Sequence, residues 1–112
     1  GLGTDTGCPL VTHYDMWREL VYFTKCIKGI SNKFALHTAT LVNANIAGVS
    51  DITGSIEVNK SGDLLIVKEN PLNDLSSLRN PQYVVFKGKL IKKKVKKYSR
   101  VEKVLDEALE NL

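Results

Sequence analysis

Apolar positions between Met16 and Lys28 recur at helical spacing with no Gly or Pro to interrupt them. Trp17, Leu20, Val21 and Thr24 form one stripe, and Tyr22, Phe23, Cys26 and Ile27 cover much of the remainder. So wide an apolar surface predicts a helix packed against more than one neighbour. Thr12 followed by Asp15 fits a loose capping box at its start, and Gly29 supplies its stop. Ser31 or Asn32 then caps a second helix from about residue 33 to 47, ended by Gly48. Its apolar face, Phe34, Ala35, Thr38, Ala39, Leu41, Val42 and Ile46, is rich in small residues that permit close approach of another element.

After Ser50 the period shortens to two. Ser55-Ile56-Glu57-Val58 alternates, Asn59-Lys60-Ser61-Gly62 is turn chemistry, and Asp63 to Val67 is a β-rich run, which together predict a hairpin. A loop opens at Asn70-Pro71-Leu72 and carries one helical turn from Leu75 to Leu78. Gln82 to Phe86 reads as a strand, and Lys87-Gly88-Lys89 turns it back into Leu90-Ile91 as a second hairpin. Ser99 with Glu102 makes a capping box for a final helix patterned on Val101, Val104, Leu105, Ala108 and Leu109. Residues 1 to 12 read as a strand end and a loop.

Composition adds that the chain folds. Its 112 residues are 43% hydrophobic and 25% charged, the balance of an ordinary globular domain. No apolar run reaches the roughly 20 residues that cross a membrane, and no signal peptide is visible, so a cytoplasmic protein without a membrane partner is expected. Cys8 and Cys26, with no metal-finger spacing around them, read as free reduced thiols. The net charge of +4 is concentrated in Lys87, Lys89, Lys92, Lys93, Lys94, Lys96, Lys97 and Arg100. That run opens an alternative in which the chain is a non-enzymatic polyanion- or nucleic-acid-binding module. Aromatic interleaving limited to Phe86 and Tyr98 speaks against nucleic acid and for a solvated strand end. A first residue that is Gly rather than Met suggests that the natural start was removed or lies upstream.

Gly3-Thr4-Asp5-Thr6-Gly7 carries the clearest candidate chemistry, a carboxylate between two backbone-permissive glycines. An acid so placed is either a turn former or a catalytic group whose partners lie elsewhere. Among the remaining polar residues, His37 reads as a packed or surface helix residue, and Asp63 as a turn-forming or charge-pairing acid. Thr40 reads as a hydroxyl bonded back to its own helix, and Arg18 with Glu19 as an ion pair. Trp17 reads as core rather than pocket lining, a role open to Tyr14 as well.

Four stretches, taken in order, resemble the C-terminal part of a metal-dependent amidohydrolase of the imidazolonepropionase-like and prolidase-like kind. Gly3-Thr4-Asp5 resembles the end of the eighth barrel strand. Gly29-Ile30-Ser31 with Ala35-Leu36 and Ala39-Thr40 resembles the last barrel helix. Gly54 to Val58, then Lys60, Asp63-Leu64 and Val67, resembles the return into a small β-lobe, and Asn70-Pro71-Leu72, Val84-Val85 and Gly88-Lys89 its closing hairpin.

The resemblance spans about residues 2 to 92 and implies an α/β fold, α+β as an isolated piece. The last strand and helices of a TIM-type (β/α)8 barrel would be followed by strands of a small β-sandwich lobe and a C-terminal helix. The corresponding divisions are residues 1–50, 51–98 and 99–112. For Asp5 it implies both ligation of a catalytic divalent metal, commonly zinc, and acceptance of a proton from the water that attacks an amide or related C–N bond. For His13 it implies contact with a substrate carboxylate or oxyanion, where the residue by itself reads as a surface histidine at a helix N-terminus. The His-x-His pair, the bridging Lys or Glu and the middle-strand histidines of the family have no counterpart here; Gly62 replaces a favoured Ala, and Phe34 a common capping Glu. A fragment inactive on its own is therefore expected, holding no tightly bound metal. Its partners would be the missing N-terminal barrel segment or further copies of itself, and its substrate in the complete enzyme a small amide or peptide-like molecule.

Overall fold

Ser31 starts the central helical run: its hydroxyl accepts a hydrogen bond from Phe34 N at 3.1 Å. The computed structural model describes residues 1–5, 15–91 and 99–112. Helix α1 is Met16–Cys26. The run after Ser31 comprises α2 (Asn32–His37), a π-helical turn (Thr38–Val42) and α3 (Asn43–Ile46) without a break. A single helix was expected here, and the π turn inside it is new. One inserted residue rotates everything after it by about 100° relative to an unbroken α-helix.

The core lies where α1, α2 and a 3-10 turn (Leu75–Arg79) meet. Leu20, Ala35 and Leu75 are buried there, with Leu2, Val21, Phe23, Leu36, Ala39 and Leu78 packed around them. Trp17 is core, as its place in the apolar stripe predicts. Asp74 caps the 3-10 turn through Ser76 N at 2.9 Å. Helix α4 (Arg100–Glu110) begins with the expected capping box. Glu102 N donates to Ser99 Oγ and Ser99 N to Glu102 Oε2, and Glu102 is 2% exposed.

Strands β1 (Leu64–Ile66), β2 (Tyr83–Phe86) and β3 (Lys89–Ile91) form an antiparallel sheet in the order β1-β2-β3. The register pairs Leu65 with Val84 and Val84 with Ile91. Leu65, Val84, Phe86, Lys89 and Ile91 therefore share one face, and Leu64, Ile66, Tyr83, Val85 and Leu90 the other. Antiparallel sheets commonly wet one face, yet here both are apolar with Tyr83, Phe86 and Leu90 more than half exposed. Lys87 and Gly88, both at positive φ, close the β2–β3 hairpin as a two-residue turn.

The strand expected over residues 55–58 is not formed. Alternation alone does not make a strand, and this segment finds no ladder partner: Ile56 and Val58 are 88% and 89% exposed. Its polar side chains bond locally instead, Ser55 Oγ donating to Glu57 Oε1 at 2.6 Å and Lys60 Nζ to Ser55 Oγ at 2.6 Å. Gly54, at φ +96°, lies directly on the π turn; a Cβ there would collide with Ala44 Cβ and come 3.3 Å from Leu41 Cα.

Asp63 bridges two loops as a turn-forming acid. Its carboxylate accepts from Thr53 Oγ1 and from Lys87 N, both at 2.8 Å. The Lys87 amide first, and the Thr53 hydroxyl second, hold the Asp63 carboxyl below the usual range. A depressed folded value stabilises the fold above the unfolded pKa, about 4, and that contribution disappears as pH falls through the depressed value. Asp63→Asn is accordingly expected to flatten the acid limb of a Tm-against-pH curve. An acid limb of unchanged slope would show that the bridge does not couple to folding. Glu57, lowered first by the Ser55 hydroxyl and then by Lys60, acts with the same sign and leaves a residual slope.

A buried charge cluster ties α1 to α4. Asp15 does not cap α1 through its side chain; the carboxylate accepts from Trp17 Nε1 at 3.2 Å and Arg18 Nε at 3.1 Å. Arg18 is 2% exposed and pairs with Asp106 Oδ1 at 2.6 Å, so the expected Arg18–Glu19 pair is replaced by Arg18 with Asp15 and Asp106. Arg79 meets Asp106 bidentately at 3.2 and 3.0 Å. Both guanidinium groups lie over the Trp17 ring, at 4.6 and 5.3 Å from its centroid.

Candidate active site

The segment that ends at Asp5 is held from both sides of its backbone. Leu2 sends its side chain against the core cluster, while its N–H donates to Asn43 Oδ1 and its carbonyl accepts from Asn43 Nδ2, each at 2.8 Å. Past this anchor the chain turns outward. Asp5 is exposed and sits at φ +51°, a left-handed conformation in which Asp and Asn are enriched among non-glycine residues. Gly3 does not supply the positive φ that its type suggested; Asp5 adopts it itself.

His13, Tyr14 and Cys8 lie outside the described residues, as do Thr12 and the lysines from Lys92 to Lys97. His37 is exposed at the end of α2, and Cys26 is a free, exposed thiol at the end of α1. Thr40 Oγ1 donates back to Leu36 O at 2.8 Å, a helix-internal role as expected.

Among the described residues no group of three or more His, Cys, Asp and Glu could hold a metal ion. Asp5 suits a divalent cation as one oxygen donor, and a catalytic site needs about three protein ligands. The described residues therefore offer part of a donor set, not a site.

Several hollows flank the helices, two of them against α1. One of about 560 Å³ lies between α1, the 3-10 turn and α4 and is lined by both signs of charge, including Lys25, Arg79, Asp106 and Glu110. An apolar one of about 440 Å³ lies between α1, the helical run and the sheet, against Trp17, Leu20, Leu36 and Leu65. Asp5 lines neither. No described helix is long and apolar enough to cross a membrane.

Asn43 is the residue that reading the sequence passed over. It lies in a Leu41-Val42-Asn43-Ala44 stretch counted for its apolar face, and nothing local marks its side chain as reaching back 41 positions to Leu2.

Residues 1–91 match the model of the amidohydrolase family. Two solved structures are similar. A candidate prolidase from Bifidobacterium longum shares 45% identity over 96% of this chain with a TM-score of 0.90. A Xaa-Pro dipeptidase with methionine bound in its active site shares 35% identity over 74% of this chain with a TM-score of 0.68. This chain spans 26% of the first structure and 20% of the second. No curated protein matches it.

Proposed function

Because this chain belongs to the amidohydrolase family, in its prolidase-like branch, we propose that it is the C-terminal part of a metal-dependent hydrolase that cleaves an amide C–N bond in a peptide-like substrate. The observation that carries this reading is the 45% identity that extends over 96% of the chain, Asp5 included in the family match. Substrates of the Xaa-Pro dipeptide class follow from the same two relatives.

In this reading residues 1–50 close a (β/α)8 barrel, residues 51–98 belong to a small β-lobe and residues 99–112 are a C-terminal helix. Asp5 is one ligand of a divalent metal, zinc being the first choice, and the remaining ligands come from elsewhere in the hydrolase. The metal, when bound, supplies Lewis acidity at the scissile carbonyl and makes water acidic enough to attack at neutral pH. Asp5 accepts the proton released by that water and returns it to the leaving nitrogen, a task suited to an exposed carboxylate at the end of an anchored segment. His13, eight positions on, is assigned to a substrate carboxylate or oxyanion.

Two apolar sheet faces support the composite architecture, since a sheet without a polar face is built to be covered on both sides. Hydrolysis of Xaa-Pro dipeptides with added zinc checks the proposal. Turnover is expected from a hydrolase that contains these residues and none from the 112 residues alone. Turnover by the isolated chain, or its stoichiometric tight binding of zinc, contradicts it.

A further inference from the structure

We infer that Asn43 is a positioning residue for Asp5, acting through a side-chain clamp on the backbone of Leu2 that the π turn brings into register. The inference rests on the reading of Asp5 as a catalytic acid. Its physical basis is the completeness of the clamp. Asn43 Oδ1 accepts from Leu2 N, one Nδ2 hydrogen goes to Leu2 O and the amide nitrogen also donates to Ala39 O at 3.3 Å. Only a carboxamide offers an acceptor and two donors in one plane, and reversing it would set N–H against N–H and oxygen against oxygen. A single residue that pairs with both backbone groups of Leu2 fixes that segment to one register, as a neighbouring strand would.

The phase of Asn43 depends on the π turn immediately before it, whose last residue is Val42. Asn43 N reaches back to Thr38 O, five residues earlier, where an α-helix would bond four back. Without that extra residue the side chain would point about 100° away from Leu2. The contact is also close at the backbone level: a Cβ on Gly1 would collide with Asn43 Oδ1 and lie 2.9 Å from Ile46 Cδ1. Gly3, next in line, adds a conformationally permissive link on the path from Leu2 to Asp5. The clamp is what defines where that path begins.

The test is backbone 15N relaxation of the metal-free hydrolase that contains this chain, in three forms: unsubstituted, Asn43→Leu and Asn43→Asp. In the unsubstituted chain Gly3 to Asp5 are expected to show order parameters near the rigid value of about 0.85, and in Asn43→Leu to fall below about 0.6. Asn43→Asp is expected to match the leucine variant at pH 7, where a carboxylate faces two carbonyl oxygens. It should regain order below about pH 4, where protonation restores a donor. Regain on acidification, absent from Asn43→Leu, separates hydrogen-bond positioning from mere packing. Disorder of Gly3 to Asp5 in the unsubstituted chain, or full order in both variants at pH 7, overturns the inference. Since the measurement needs neither metal nor turnover, a blank from the complete hydrolase would count against the catalytic reading of Asp5 and leave the clamp standing.

Discussion

Asp106→Ala is expected to destabilise the fold by about 3 kcal/mol, because it removes the carboxylate that two guanidinium groups share. Arg18, 2% exposed, would keep Asp15 but lose its 2.6 Å partner, and Arg79 would lose its two hydrogen bonds to Asp106. Among the described residues Arg18 Nη1 has no hydrogen-bond acceptor, so little slack remains to absorb the loss. For a domain of this size the change corresponds to a Tm lower by about 12 °C. Arg79, whose side chain is 27% exposed, can turn to water, which makes Arg18 the main source of the cost. Replacing both sides of the pair tests that attribution. Arg18→Met combined with Asp106→Leu should cost less than the sum of the single changes, since neither member of the 2.6 Å pair is then left buried without the other. Thermal unfolding followed by circular dichroism reads both. A loss below about 1 kcal/mol for Asp106→Ala would mean that α4 is held by its apolar contacts instead.

How far the sequence could be read follows from how local each determinant is. Ser99 and Glu102 are three residues apart and satisfy each other, so the start of α4 was legible without any knowledge of what it packs against. Ser31, Gly88 and the 3-10 turn at Leu75 were legible for the same reason. Failures occur where a distant partner decides. Ser55 to Val58 alternates like a strand but has no partner to pair with, and its hydroxyl and carboxylate close short local bonds instead. The partner of Arg18 is 88 positions away in Asp106, beyond anything that Glu19 beside it could suggest. The π turn leaves no mark on composition, and it surfaces only in what it permits, the approach of Leu2 and of Gly54. Asp5 could be singled out between its glycines, but its turn-forming and catalytic readings were separable only through family resemblance.

Asp5→Asn is expected to lower kcat of the hydrolase by on the order of 10³-fold or more, removing a proton acceptor and a charged metal ligand together. The substitution is chosen to spare the fold. Asparagine has the size of aspartate and the same tolerance for the φ of +51° found here, and the side chain is exposed. Its carboxamide can still offer an oxygen to a metal, though without the charge, and at neutral pH it takes no proton. Unfolding temperature should therefore stay within about 2 °C of the parent, a surface-substitution effect.

The most direct measurement is zinc content and Xaa-Pro dipeptide turnover, taken on the same preparation of the hydrolase containing this chain, with and without Asp5→Asn. Loss of turnover with reduced zinc content and an unchanged unfolding temperature is the predicted result. Parental turnover and parental zinc content in Asp5→Asn would contradict the account, leaving Asp5 a turn former and the metal chemistry wholly independent of these 112 residues.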